Sequence, residues 1–196
     1  MIESSEVVVD AGDALFIAGY QTDPRDEHEV LLQHITLLGE ALLGSGRPWR
    51  IRRLAAPGSD RDIPTRRNVR RELDALFSRP ASTRIIVILG EVTRTLEGLG
   101  LVCAPELGGF REDATVPLEW IGDRLRATQA ATVLLLAARA EQSDPQRWLT
   151  ALASGAANHL VVACGGNRVD AVCALHDGLV IGGTDEASVA TPRSLG

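Results

Sequence analysis

Four runs of apolar residues without regular polar alternation divide the chain, and each ends in alanine or glycine. They lie at residues 13–19, 84–90, 132–137 and 159–166. This pattern is typical of short strands buried on both faces of a mostly parallel sheet. A partly alternating run at 49–54 and a short run at 99–103 predict two further strands.

Between these runs, apolar residues recur at every third or fourth position, as on the buried stripe of an amphipathic helix. The first helix is predicted over residues 26–43, with an inward stripe of Val30, Leu31, Ile35, Leu38 and Leu42. A second helix is predicted to begin after Thr65, whose hydroxyl can cap it. Three more are predicted over 116–125, 143–154 and 167–177, followed by an edge strand or a turn at 178–183.

The alternation of strands and helices predicts an α/β domain with a mostly parallel, doubly wound sheet over residues 11–182. Residues 1–10 are predicted to be an N-terminal extension, and residues 183–196 a flexible C-terminal tail. Ligands bind such sheets beyond the carboxyl ends of the strands. We therefore expect any active site just after Gly90 and just after Ala137.

Composition narrows the class of protein. The chain has 196 residues and is 45% hydrophobic, enough for one sizeable core. It has no apolar run of about 18 residues, and its start lacks a basic segment followed by an apolar one. The sequence therefore predicts neither a membrane span nor a signal peptide, and a cytoplasmic location.

The residue types that usually bind metals or nucleotides do not occur here in the spacing that such sites require. Cys103, Cys164 and Cys173 lack metal-ligand spacing, and we interpret them as reduced thiols of the core. No glycine-rich turn has the flanking residues of a phosphate-binding loop. The sequence therefore predicts neither a metal nor a cofactor.

One stretch is strongly basic. Nine arginines lie from Arg47 to Arg71, against Asp60 and Asp62. Such a cluster would suit a nucleic acid or an acidic partner protein. Its lack of interleaved aromatic residues beyond Trp49, and the net charge of −6 of the whole chain, favour a solvated face instead.

Four segments share their order and pattern with a known protein frame: 85–90, 98–103, 115–118 and 132–137. Together they resemble the caspase-like (clan CD, metacaspase-type) cysteine peptidases in the form common in high-GC bacteria. There, one strand ends in a Ser-Gly-His-Gly turn with the catalytic histidine and is followed by a short hairpin and a helix that begins Val-Pro-Leu. The next strand ends in Leu-Asp-x-Cys-His-Ser-Gly with the nucleophile. The resemblance implies a caspase-like three-layer sandwich.

Both catalytic residues of that family are replaced in this chain. Gly90-Glu91-Val92 stands in place of Gly-His-Gly, and Ala137-Ala138-Arg139-Ala140 in place of Asp-x-Cys-His. Without a thiolate beside a general base, the family's acyl transfer cannot proceed. Glu91 and Arg139 are expected either to form an ion pair across the former cleft or to be solvated loop residues.

These replacements predict a catalytically inactive pseudo-peptidase that acts as a regulatory or scaffolding protein-binding subunit. The resemblance implies a place in a bacterial signalling or defence complex. The implied partner is an active caspase-like subunit, reached by pairing of edge strands, or another component of the same system. A homodimer is the third possibility.

Two alternatives stay open. Cys164, followed by two glycines whose amides would suit an oxyanion hole, would be the nucleophile of a cysteine hydrolase, with His176 of the next helix as its base. His159 begins the same strand, about 16 Å away by strand rise, and is out of reach. The second alternative is a structural α/β subunit unrelated to peptidases, because similar frames recur among doubly wound folds.

Overall fold

The computed structural model describes residues 11–19, 27–55, 59–105, 114–139, 145–153, 159–165 and 168–182. The strands are β1 (Gly12–Ala18), β2 (Trp49–Leu54), β3 (Thr83–Thr95), β4 (Gly98–Val102), β5 (Thr115–Pro117), β6 (Ala131–Arg139) and β7 (His159–Cys164). The helices are α1 (Glu27–Gly44), α2 (Arg66–Ser78), α3 (Leu118–Ala127), α4 (Pro145–Ala153) and α5 (Arg168–Gly182). The predicted extension at 1–10 and tail at 183–196 lie outside the described residues.

The sheet has a parallel part and a small antiparallel part. Five strands pair in parallel in the order β2-β1-β3-β6-β7. The second half of β3 pairs antiparallel with β4, and β4 with β5. This confirms the predicted α/β class with a mostly parallel sheet.

Helices cover both faces of the parallel strands. Leu73 of α2, Ile121 of α3 and Leu152 of α4 are buried against one face, and we call this cluster the α2–α4 core. Leu38 of α1 and Val172 of α5 are buried against the other face, in the α1–α5 core. Because each helix buries one apolar stripe on the sheet, the molecule has three layers.

One predicted strand end and one predicted helix start are wrong. β3 does not end at Gly90 but continues to Thr95, because its last residues form a hairpin with β4. Gly98 at that turn has a φ of +121°, which favours glycine. Val116, predicted to be helical, lies in β5, and the helix begins two residues later at Leu118.

Three further expectations fail on burial or on element type. Val30 of the predicted inward stripe is 38% exposed, whereas the rest of that stripe is buried. Residues 178–182, predicted to be an edge strand or a turn, continue helix α5. The strand at 159–166 was expected to be buried, but Leu160 and Val162 of β7 are exposed.

A row of polar side chains crosses all five parallel strands near their amino ends. Successive members are Cα partners in the sheet, in the order Arg50, Asp13, Arg84, Thr132 and His159. In each strand, the residue two positions after the polar one faces helices α2 to α4. The polar side chains therefore lie on the same face of the sheet. We call these five residues the amino-end polar row.

This row satisfies backbone groups where helices α2 and α3 end. Arg84 donates to the Arg79 carbonyl at 2.6 Å and to the Thr128 hydroxyl. His159 donates from Nε2 to the Leu125 carbonyl at 2.8 Å. The last carbonyls of a helix lack partners within it, and cations near them are stabilising. The polar row therefore fixes both helix ends to the sheet.

Candidate functional site

Glu91 and Arg139, which the sequence comparison placed where the resembled family has its dyad, are Cα partners in the ladder between β3 and β6. Neighbouring strands lie about 4.8 Å apart, so both side chains project from adjacent backbone positions. The interpretation as solvated loop residues is wrong in one respect, because both lie within strands and are half-buried. The ion pair between them stays a prediction.

The neighbouring residues Val92 and Ala138 face inward. Val92 is 4% exposed and Ala138 is fully buried, and both belong to the α2–α4 core. Neither side chain can transfer a proton or attack a carbonyl. The ends of β3 and β6 carry neither a thiol nor an imidazole. These strand ends therefore cannot perform the peptidase chemistry of the resembled family.

Gly19 follows β1 and lies beside Gly90 of β3, at the point where the order of the parallel strands reverses. Ligands commonly bind at such a point. The Gly19 amide donates to the Leu89 carbonyl at 2.5 Å. A Cβ atom on Gly90 would lie 3.4 Å from the Gly19 Cα and 3.3 Å from Leu101 Cδ1. The two backbones are therefore in contact, and a side chain on Gly90 would require Leu101 to shift by a few tenths of an ångström.

The half-exposed Cys164 ends β7 and packs against the α1–α5 core. His176, its candidate base, lies two turns into α5, about 12 Å along the helix from its first residue. The His176 Nδ1 atom is 3.3 Å from an Asp177 carboxylate oxygen. His159 binds the Leu125 carbonyl. His159 is therefore engaged elsewhere, and the hydrolase alternative with Cys164 and His176 stays a prediction.

Sequence reasoning missed a thiol–imidazole contact between α1 and α5. The Cys173 sulfur lies 3.7 Å and 3.8 Å from the two ring nitrogens of His34, between α5 and α1. The doubly wound topology was the available signal, because it places the first and last helices on the same face of the sheet. The sulfur is nearly equidistant from both nitrogens, so the two distances do not select either one as its hydrogen-bond partner.

The sequence matches no protein-family model and no curated protein.

Within the residues that the structure describes, no cluster of three or more His, Cys, Asp or Glu side chains could hold a metal ion. None of the described helices is both long and apolar enough to cross a membrane.

The three cysteines should differ in reactivity. Burial raises the pKa of Cys103 to about 12, and its side chain is 2% exposed. At pH 8 in the native state we therefore expect iodoacetamide to leave Cys103 unlabelled while it labels the partly exposed Cys164 and Cys173. Mass spectrometry of the peptides gives each rate, and labelling in urea is the control that Cys103 is competent to react. Labelling of Cys164 more than about a hundredfold faster than a free cysteine would indicate an activated nucleophile and favour the hydrolase alternative.

The outer strands β2 and β7 of the parallel sheet differ sharply. Strand β2 carries Arg50, Arg52 and Arg53, which discourage pairing with another chain. Strand β7 carries no acidic, lysine or arginine residue, and Leu160 and Val162 are 48% and 41% exposed on one of its faces. Among the described strands, β7 pairs only with β6. Its outer edge is therefore the better template for a further strand.

Much of the basic stretch is paired within the chain. Arg52 binds Asp62 at 2.8 Å and Glu72 at 3.5 Å, and Arg71 binds Glu72 at 2.8 Å. Arg70 stacks on the Trp120 ring at 4.7 Å. These contacts weaken the attraction of the stretch for nucleic acid, because charges neutralised by the protein's own carboxylates release fewer counterions.

Proposed function

We propose that this chain is a protein-binding domain of caspase-like architecture without peptidase activity, and that it pairs with a partner protein through the outer edge of strand β7. It would serve as a regulatory or scaffolding subunit. The resemblance implies a bacterial signalling or defence complex as its setting, and an active caspase-like subunit or a second copy of the chain as candidate partners.

The contrast between the two outer strands carries this proposal. An added strand would gain main-chain hydrogen bonds along β7, each contributing about 0.5–1.5 kcal/mol net. Covering the exposed parts of Leu160 and Val162 would add roughly 1 kcal/mol for each side chain. Recognition by strand addition needs an accessible edge and apolar contacts, and β7 offers both.

The arrangement of the sheet supports the caspase-like part of the proposal. The antiparallel strands β4 and β5 follow β3 at the point where the resembled family has its hairpin. The replaced dyad positions, Glu91 and Arg139, end up as neighbours in the ladder, as catalytic partners on adjacent strands would. A fold of this kind that lacks the thiolate and the general base supports a role in binding and not in hydrolysis.

The test compares charge placed on β7 with charge placed elsewhere. Leu160→Lys together with Val162→Lys puts two cations on the β7 surface, and Leu96→Lys puts one on the fully exposed β3–β4 turn. Affinity capture from the native lysate, quantified by mass spectrometry, should return a stoichiometric partner with the native chain and with Leu96→Lys. The β7 variant should retain less than about a tenth of it, a loss that corresponds to roughly 1.4 kcal/mol.

Light scattering of the purified protein during gel filtration separates self-association from binding of another protein. A dimer that the β7 variant converts to monomer identifies a second copy as the partner. Partner capture that is equal in native and β7-variant samples would contradict the proposed edge. Peptide hydrolysis that disappears with Cys164→Ala would contradict the inactive state.

A further inference from the structure

A cavity of about 210 Å³ lies between helix α1 and the carboxyl ends of strands β1 and β2, at the opposite edge of the sheet from β7. Most of its lining is apolar, contributed by Phe16, Ala18, Leu32, Ile35, Leu54 and Ala55. The polar side chains that line it are Thr36 and Arg53. A partly open apolar pocket with one exposed cation at its rim is suited to a ligand with an apolar body and an anionic head.

The Arg53 guanidinium lies against the backbone of α1. A Cβ atom on Gly39 would be 2.4 Å from Arg53 Nη2, so the glycine makes room for this side chain. Arg53 contacts the Thr36 hydroxyl and carbonyl oxygens at 3.5 Å each, which are long for hydrogen bonds. A guanidinium has five N–H donors, and these two contacts use few of them.

Arg53 also differs from its neighbours on β2 in charge pairing. Arg50 binds Asp13 at 2.6 Å, and Arg52 binds Asp62 at 2.8 Å. No carboxylate of the described residues lies within 4.0 Å of Arg53. The cavity therefore has a positively charged group whose charge is not balanced by a described neighbour.

We propose that this cavity binds a small monocarboxylate with an apolar body, with the carboxylate on Arg53 and the body against Phe16, Leu32 and Ile35. An apolar cavity of about 150 Å³ suffices for a benzene ring. A volume of 210 Å³ therefore holds an aromatic ring or short acyl chain together with a carboxylate. Planar carboxylates also match the forked geometry of a guanidinium.

Inorganic phosphate fits the same cavity poorly. It has no apolar body to cover Phe16, Leu32 and Ile35, so at the exposed Arg53 it would gain only a solvent-screened ion pair. The site is therefore expected to prefer an amphipathic carboxylate to a purely inorganic anion.

The experiment is a titration of the isotope-labelled full chain followed by NMR, with benzoate, neutral benzyl alcohol and phosphate as probes. Benzoate should shift the amide signals of Thr36 and Gly39 saturably, and more tightly than either other probe. Arg53→Ala should weaken benzoate binding by about tenfold or more, because it removes a charge-assisted hydrogen bond. Arg52→Ala makes the same change of charge on the other face of β2 and should leave the affinity within about twofold.

Two variants keep the test decisive if Arg53→Ala perturbs the fold. Gly39→Ala places a methyl group where the guanidinium lies and favours the helix, so it should weaken benzoate binding with α1 intact. Leu32→Phe fills the cavity and should do the same. The proposal is overturned if benzoate causes no saturable shift at millimolar concentration, or if benzyl alcohol or phosphate binds as tightly as benzoate. It is also overturned if Arg53→Ala and Arg52→Ala have equal effects.

Discussion

Replacing Asp13 with alanine should lower the free energy of unfolding by about 1.5–3 kcal/mol, the range for hydrogen bonds to charged groups, because it removes a buried carboxylate whose partner Arg50 is 47% exposed. The Asp13 carboxylate is fully buried and accepts two hydrogen bonds from Arg50, at 2.6 Å and 3.1 Å. On its other side the sheet places Arg84, which is 3% exposed. Burial lowers the pKa of Arg84, and the charge of Asp13 opposes that effect. Without Asp13, a buried guanidinium would lose its neighbouring anion.

A surface aspartate provides the matched control. Asp74 binds Arg124 at 2.9 Å, and both side chains are 45% exposed. Asp74→Ala changes the net charge equally but should cost less than about 1 kcal/mol, because solvent screens an exposed pair. Urea unfolding followed by circular dichroism measures the free energy of unfolding of both variants, provided that its slope against urea concentration is the same in each. Equal costs for the two variants would show that the amino-end polar row does not stabilise the fold as described.

Local patterns in the sequence were sufficient to predict the layered fold. Apolar runs without alternation and helical stripes depend on near neighbours, so strands β1 and β6, the first half of β3 and helix α1 were placed correctly. The cap of α2 was equally predictable, since the Thr65 hydroxyl accepts from the Asn68 amide at 3.2 Å. These features need no knowledge of what lies across the sheet.

Features that depend on distant partners were not predictable in the same way. The continuation of β3 past Gly90 depends on pairing with β4, and a glycine after an apolar run looks like an ending. The run at 178–182 is short and apolar, a composition that strand and helix share. In the structure the run is helical because it continues α5, which packs against α1.

The candidate site shows the same division. The sequence predicted that Glu91 and Arg139 replace a catalytic pair, but only the parallel register makes them neighbours. Strand β7 has the composition of a buried strand, and its exposure follows from its place at the end of the sheet order. The amphipathic cavity was also invisible in sequence, because Arg53, Thr36 and Phe16 come from three different elements.

Replacing Trp148 with alanine should lower the free energy of unfolding by about 3–5 kcal/mol, because it removes a large, fully buried side chain from the α2–α4 core. Trp148→Phe should cost less, since the buried Trp148 indole N–H has no hydrogen-bond partner among the described residues and its loss relieves that penalty. Trp120→Ala is the matched control. It removes a half-buried indole that stacks with Arg70 and Arg124, and it should cost less than Trp148→Ala.

The effect of Trp148→Ala should concentrate where α4 supports the proposed binding edge. Helix α4 packs against both α3 and β7, and a Cβ atom on Gly122 of α3 would lie 2.4 Å from the Ala151 carbonyl oxygen of α4. Loosening α4 should therefore release β7 before the centre of the sheet. Hydrogen exchange with mass spectrometry should show faster exchange of β7 amides in Trp148→Ala, with β1 amides changed less. Equal acceleration in β1 and β7 would mean that α4 and β7 unfold only with the whole domain, and partner binding at β7 would then depend on global stability alone.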